Sequence, residues 1–246
     1  MEILGIDIGG SALKGAPVDL DRGELLAERV RLETPQPAKP KAVAEVFAQV
    51  AEAFDWKGPI GVGFPGIMRR NVTRSAANLH PSWIGRDLGE LFGSVSGCPV
   101  EIVNDADAAG LAAIAYGAGR DRSGSVLLLT LGTGIGSALF IDGHLYPNSE
   151  FGHLQFKKTI AEKYASSAAR KEFGLGWSQW GDRLNEFLVH LNRIFSPDLI
   201  IIGGGASSKF EKFSPQVDCG VEVVPAQLRN NAGIIGAALA GMESKD

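Results

Sequence analysis

The sequence predicts an α/β protein built as two similar lobes, and three observations carry that expectation. Strand-like apolar runs alternate with stretches of helical period along all 246 residues. The order strand meander, helix, strand, helix, strand occurs in the first half and returns in the second. Each half also holds a glycine-rich bend between two apolar runs, GIDIGGSALKG near the N-terminus and TLGTGIGSALF in the middle, with the letters GSAL in common.

Taken in order, ILGIDIG and ALKGAPVDL read as strands joined by Gly9, Gly10 and Ser11, and Asp21-Arg22-Gly23 turns the chain into a third strand, ELLAERVRL. TPQPAKPK carries three prolines and is a loop, whereas AVAEVFAQVAEAF places its apolar residues at helical spacing. PIGVGFPG is a buried strand running into a bend. A polar segment holding Asn78 follows, then a short helix around DLGELFG, the strand PVEIVND and the small-residue helix AAGLAAIAYGAG. The second half opens with the hairpin of SVLLLTLG and GSALFIDG, continues with helices over IAEKYASSAARKEF and SQWGDRLNEFLVHLNRIF, and closes with the strand DLIIIGGG and the helix NAGIIGAALAGM. The expected lobes are residues 1–118 and 119–246, the last helix packing back on the N-terminal lobe, with a cleft to which each lobe presents its bend.

Composition narrows the function. With 24 Lys and Arg against 28 Asp and Glu, the net charge of -4 lacks the basic surplus of a general nucleic-acid binder. Mean hydropathy is +0.06, and no apolar run approaches the roughly 20 residues of a membrane span. MEILGIDIGG reads as a strand rather than a charged leader, so a cytoplasmic location is expected. Cys98 and Cys219 stand far apart without Cys/His ligand spacing and read as small buried hydrophobes.

Glycines let consecutive backbone N–H groups approach an anion, so Gly9, Gly10 and Ser11 form one candidate phosphate grip and Gly132, Thr133 and Gly134 the other. Taken singly, either bend is equally well a hairpin turn that needs glycine for its geometry. Asp7 ends the first strand beside its bend, where a carboxylate next to phosphates makes sense with a Mg²⁺ ion between them. Lys14, on the following strand, can offer a point charge to phosphate.

GIDIGGSALKG, GFPG, NDADAAG, LGTGIG, EFGH and IIGGG, in this order, resemble the ROK family of sugar kinases, and the match runs nearly end to end. GIDIGGSALKGAPVDL, TLGTGIGSALF, YPNSEFGHL, FSPDLIIIGGG and VPAQLRN are similar to its polyphosphate glucokinase branch. The resemblance implies a two-lobed actin/hexokinase-like (ribonuclease H-like) fold and a homodimer. It makes Asp105 the catalytic base, a role that suits a carboxylate within reach of a sugar hydroxyl, and otherwise Asp105 is a helix N-cap. It assigns Asn78, Asn104, Glu150 and His153 to the hexose hydroxyls, and Gly203, Gly204 and Gly205 to the donor. Many ROK kinases follow the histidine motif with a zinc-binding cysteine cluster. Here the chain reads LQFKKTIAEKYASS, so no zinc is expected and packing must hold His153.

The leading expectation is therefore a glucokinase that uses Mg²⁺ and takes its phosphoryl group from polyphosphate, with ATP as a further donor. An ATP-only hexose, mannose or amino-sugar kinase shares the same chemistry, and a catalytically silent sugar sensor is the reading from another class. A repressor of the same family would place a helix-turn-helix domain where this chain already begins its first phosphate strand. A basic stripe adds weight to polyphosphate: Lys163 and Arg170, seven apart on one expected helix with Lys171 beside them, would follow a long polyanion. Such a run is otherwise a solvated helix face.

Overall fold

The computed structural model describes residues 1–76 and 79–242. The chain divides into two compact units, Met1–Ala112 with Asn231–Asp246, and Ala113–Asn230.

The first unit begins with β1 (Glu2–Ile8), β2 (Ala12–Asp19), β3 (Glu24–Leu25), β4 (Val30–Glu33), α1 (Pro40–Glu52), β5 (Ile60–Phe64), β6 (Met68–Arg69), β7 (Val72–Thr73), α2 (Leu88–Ser96), β8 (Val100–Asn104) and α3 (Asp105–Tyr116). Its main sheet runs β3-β2-β1-β5-β8, with β4 also pairing β2. β1 and β2 are antiparallel, whereas β1, β5 and β8 are parallel. The expected third strand is two short ones. Val18 pairs Leu25 and Gly15 pairs Val30, so the partner chain advances further than β2 does and the surplus residues bulge into solvent. α1 starts on Pro40, which has no N–H to leave unsatisfied, and buries Val43, Ala44, Phe47, Val50 and Ala51 along one stripe. Phe47 meets Phe92 at 4.5 Å and Phe64 meets Trp83 at 4.9 Å, closing the core on that face of the sheet.

The second unit contains β9 (Ser125–Leu131), β10 (Ile135–Ile141), β11 (His144–Tyr146), β12 (Gln155–Phe156), β13 (Thr159–Ile160), α4 (Ala161–Ala165), α5 (Ser167–Glu172), α6 (Trp177–Phe195), β14 (Leu199–Gly203) and β15 (Glu222–Pro225). Its sheet runs β11-β10-β9-β14-β15, with β9, β14 and β15 parallel. α6 buries Trp180, Leu184, Phe187, Leu188 and Leu191, and His190 packs on the Phe156 ring at 5.3 Å.

The single helix expected over IAEKYASSAARKEF, residues 160–173, is two helices broken at Ser166. Ser166 is extended, and its side chain accepts from the Ala169 N–H as the N-cap of α5. The Trp180 indole N–H donates to the carbonyls of Ala165 and Ser166 at 3.0 and 3.1 Å, satisfying acceptors that a continuous helix would have used. Lys163 and Arg170 thus belong to different helices, so they are not seven residues apart along one helix face.

The chain then returns to the first unit with α7 (Ala232–Ala240), which packs on β1 and β5. Two glycines make that approach possible: a Cβ on Gly5 would overlap the carbonyl of Ile234, and one on Gly61 that of Ala237.

Candidate active site

In the first unit the parallel strands β1, β5 and β8 end at one edge of the sheet, the place where open α/β sheets bind ligands. Asp7 pairs in register with Gly63, and Phe64 with Asn104, so Asp7, the GFPG bend and the Asn104-Asp105 pair all lie at that edge.

The first glycine bend is held from one side. Thr34 Oγ1 donates to the Gly9 carbonyl at 2.6 Å, Gln36 Nε2 to that of Gly10 at 3.1 Å, and the Thr34 N–H to that of Ser11 at 3.1 Å. In a trans peptide the carbonyl and the following N–H point opposite ways, so the N–H groups of Gly10 and Ser11 face away from Thr34 and Gln36. An anion cradle needs this arrangement. Nothing in the sequence marks buried Thr34 as the holder of the bend beyond its place before a proline-rich loop.

Beside the bend, Lys14 Nζ lies 3.4 Å from Asp7 Oδ2, a cross-strand pair set by the β1–β2 register. Burial pushes the Asp7 carboxyl above its ordinary value, with the Lys14 charge opposing. Among the described residues no group of three or more His, Cys, Asp or Glu could hold a metal. One carboxylate at a phosphate cradle fits Mg²⁺, which takes most of its ligands from phosphate oxygens and water.

Asn104 is a capping residue as well as a candidate sugar ligand. Its Oδ1 accepts from the N–H groups of Ala106 and Asp107 at 2.9 and 3.2 Å, and its Nδ2 donates to the Gly66 carbonyl at 3.2 Å. One amide hydrogen is left for a ligand. Asp105 opens α3, and its Oδ1 accepts from the Ala106 N–H at 2.8 Å. Asn78 lies outside the described residues.

In the second unit Gly132, Thr133 and Gly134 form the turn between β9 and β10. The shared letters GSAL are not equivalent in place. Gly10 and Ser11 belong to the first bend itself, whereas Gly136 and Ser137 lie inside β10, beyond the second. Ser137 serves another purpose. Its hydroxyl donates to the Ser149 carbonyl at 2.6 Å and accepts from the Phe151 N–H at 2.9 Å, while Ser149 Oγ donates back to the Ser137 carbonyl. These buried bonds pin the segment that carries Glu150 and His153 to the sheet.

His153 Nδ1 lies 3.6 Å from Glu150 Oε2, and its Nε2 lies 4.0 Å from Glu162 Oε1. Burial raises the Glu150 carboxyl above its ordinary value; the His153 charge opposes this and Glu162 adds to it. Glu162, which no sequence motif singles out, also closes on the second bend, since a Cβ on Gly134 would overlap Glu162 Oε2. Its only sequence signal is a carboxylate in the first turn of α4.

Gly203 pairs with Thr130, so Gly203, Gly204 and Gly205 leave the sheet beside the second bend. A cavity of about 410 Å³ opens there, lined by Gly132, Thr133, Arg170, Lys171, Trp177 and Gly205 among others. Lys163 is not among its lining residues.

A profile of the ROK family matches residues 3–172. Polyphosphate glucokinase of Mycobacterium tuberculosis (strain CDC 1551 / Oshkosh) is 47% identical over 239 residues, which cover 97% of this chain and 90% of that protein. Among solved structures, the inorganic polyphosphate/ATP-glucomannokinase of Arthrobacter sp. strain KM superposes with a TM-score of 0.94 at 46% identity, covering 98% of each chain. A ROK family glucokinase from Streptomyces griseus, in complex with glucose and AMPPNP, shares the fold at a TM-score of 0.81 and 23% identity, covering 99% of this chain and 100% of its own. The fold is the α/β, actin/hexokinase-like one. Matched by the family profile over most of its length and nearly half identical to a relative that it covers almost completely, this chain belongs to the ROK family.

Proposed function

We propose that this protein phosphorylates the 6-hydroxyl of glucose, with inorganic polyphosphate as the donor and ATP as a second one. The 47% identity to a polyphosphate glucokinase over 97% of the chain carries the reading. The cradle geometry of the first bend and the glycine-lined cavity of the second unit support it.

In this reading Asp105 takes the proton of the 6-hydroxyl as its oxygen attacks the terminal phosphorus. The bond from that phosphorus to the bridging oxygen breaks, and the shortened polyphosphate leaves with the electron pair. Asn78, Asn104, Glu150 and His153 hold the sugar through its hydroxyls; the N–H groups of Gly9 and Gly132 close their own turns on the carbonyls of Ala12 and Gly134, and the remaining backbone N–H groups of the two bends hold phosphate oxygens. Asp7 would hold Mg²⁺, which when bound neutralises charge on the phosphates. Lys14 adds a positive charge at the first bend. Catalysis then rests on positioning and fixed dipoles. We place the enzyme in the cytoplasm as a homodimer, with functional halves at 1–118 and 119–246. No described helix is long and apolar enough to cross a membrane.

The test offers purified protein glucose and Mg²⁺ with polyphosphate or ATP in parallel. Formation of glucose 6-phosphate from polyphosphate is the expected result. Product with ATP alone would move the protein to the ATP-only reading. No product with either donor would leave a sugar sensor.

A further inference from the structure

Arg170 and Lys171 both line the cavity beside the second bend, and among the described residues neither forms an ion pair. Lys171 is exposed. Arg170 is fixed in two ways: its Nη1 donates to the Leu175 carbonyl at 3.0 Å, and its guanidinium carbon lies 4.1 Å from the centre of the Trp177 ring. Trp177 is the aromatic residue of the cavity wall, the surface on which a purine would stack. A guanidinium laid on that ring occupies a stacking surface and keeps donor N–H groups for phosphate oxygens. The cavity therefore sets a glycine bend beside two cations that form no ion pair among the described residues, and the one aromatic in its lining is already engaged.

We propose that Arg170 and Lys171 select the donor: they bind the phosphates behind the one transferred, and Arg170 also masks Trp177 from a nucleobase. The inference rests on the polyphosphate reading above and names the residues that set its preference. It replaces a stripe along one helix by a pair in one cavity, and so separates Lys171 from Lys163.

The experiment measures KM for polyphosphate and for glucose in the parent and in Lys171→Ala, Arg170→Ala, Arg170→Lys and Lys163→Ala, at low and moderate salt. Adenosine, which carries a base and no phosphate, serves as a competitor of polyphosphate. Lys171→Ala should raise the polyphosphate KM about fivefold and flatten its salt dependence, because one phosphate contact is lost. Arg170→Ala should raise it about tenfold and lower the adenosine inhibition constant at least threefold by uncovering Trp177. Arg170→Lys should recover part of the polyphosphate KM, since it keeps the charge. Lys163→Ala should stay within about twofold of the parent, and glucose KM should hold in all four variants. An unchanged polyphosphate KM in Lys171→Ala overturns the proposal, and this exposed site keeps the test valid even if Arg170→Ala folds poorly. Weaker adenosine inhibition in Arg170→Ala, or equal damage from Lys163→Ala, overturns it as well. Lack of polyphosphate activity in the parent is a separate result, the failure of the functional reading itself.

Discussion

Replacing Asp105 by Asn preserves its size and its ability to accept from the Ala106 N–H, and removes the negative charge and with it the capacity to take a proton. Turnover should fall by about 10²- to 10⁴-fold while the glucose KM stays within about tenfold. Initial rates at several glucose concentrations check this, and retention of most turnover would exclude Asp105 as the base. Glu150 gives a pH-dependent outcome. Burial, with Glu162, raises its carboxyl above the ordinary 4.5, and the ionised form is the one that costs stability. The cost is absent where the group is protonated in both states, below 4.5, and sets in as pH climbs from there through the folded value. Glu150→Gln should therefore melt at a higher temperature than the parent at pH 7, and the gain should vanish near pH 4, read from melting curves across that range. If Glu150 accepts from a sugar hydroxyl as proposed, the variant's glucose KM should rise as well, because that carboxylate acceptor is lost.

At the scale of elements, the first bend owes its shape to a neighbouring loop. Thr34→Val removes the hydroxyl that holds the Gly9 carbonyl and keeps the side-chain volume. The loss of about 1 kcal/mol of hydrogen bonding at the cradle should raise the donor KM roughly fivefold, leave the glucose KM unchanged and be largely reversed in Thr34→Ser. A glucose KM that moved with the donor KM would mean the effect is not local to the bend. The docking of α7 on β5 gives a stability test. In Gly61→Ala the new methyl group meets the Ala237 carbonyl, which belongs to a helix backbone and cannot rotate aside. We expect a loss of about 3 kcal/mol, seen as a melting temperature lower by roughly 6–12 °C. The broken helix at Ser166 belongs to this scale too. Periodicity over 160–173 favours one helix, and the Trp180 indole, brought up by α6, takes the carbonyl acceptors at the break.

For the whole molecule, metal dependence separates two roles a metal can have in this family. With LQFKKTIAEKYASS in place of a cysteine cluster, and His153 flanked by Glu150 and Glu162, purified protein should carry well under one zinc per chain by elemental analysis. One zinc per chain would overturn that expectation. Phosphoryl transfer should nonetheless disappear on strong chelation and return with Mg²⁺, since that ion would arrive with the donor's phosphates and one carboxylate. Activity that survives chelation would remove Asp7 from the metal's ligands.

What the sequence determined by itself is whatever depends on short-range pattern. Strand and helix periods, the glycine bends, Asp7 before the first bend and Lys14 after it, and the ordered motifs from GIDIGGSALKG to IIGGG can all be read along the chain, because each rests on neighbours a few residues away. Which groups hold those motifs in shape follows from packing between distant segments. Thr34 and Gln36 grip the first bend across more than twenty residues of sequence, and Ser137 and Ser149 lock the His153 segment. Asn104 caps α3 while binding Gly66, and Glu162 reaches both His153 and the second bend. A buried polar group must find its partner wherever packing supplies one, and that choice is made by strand register and helix docking rather than by spacing in the chain. For the same reason Lys163 and Arg170, which would share a face on one continuous helix, are parted by one serine and one tryptophan.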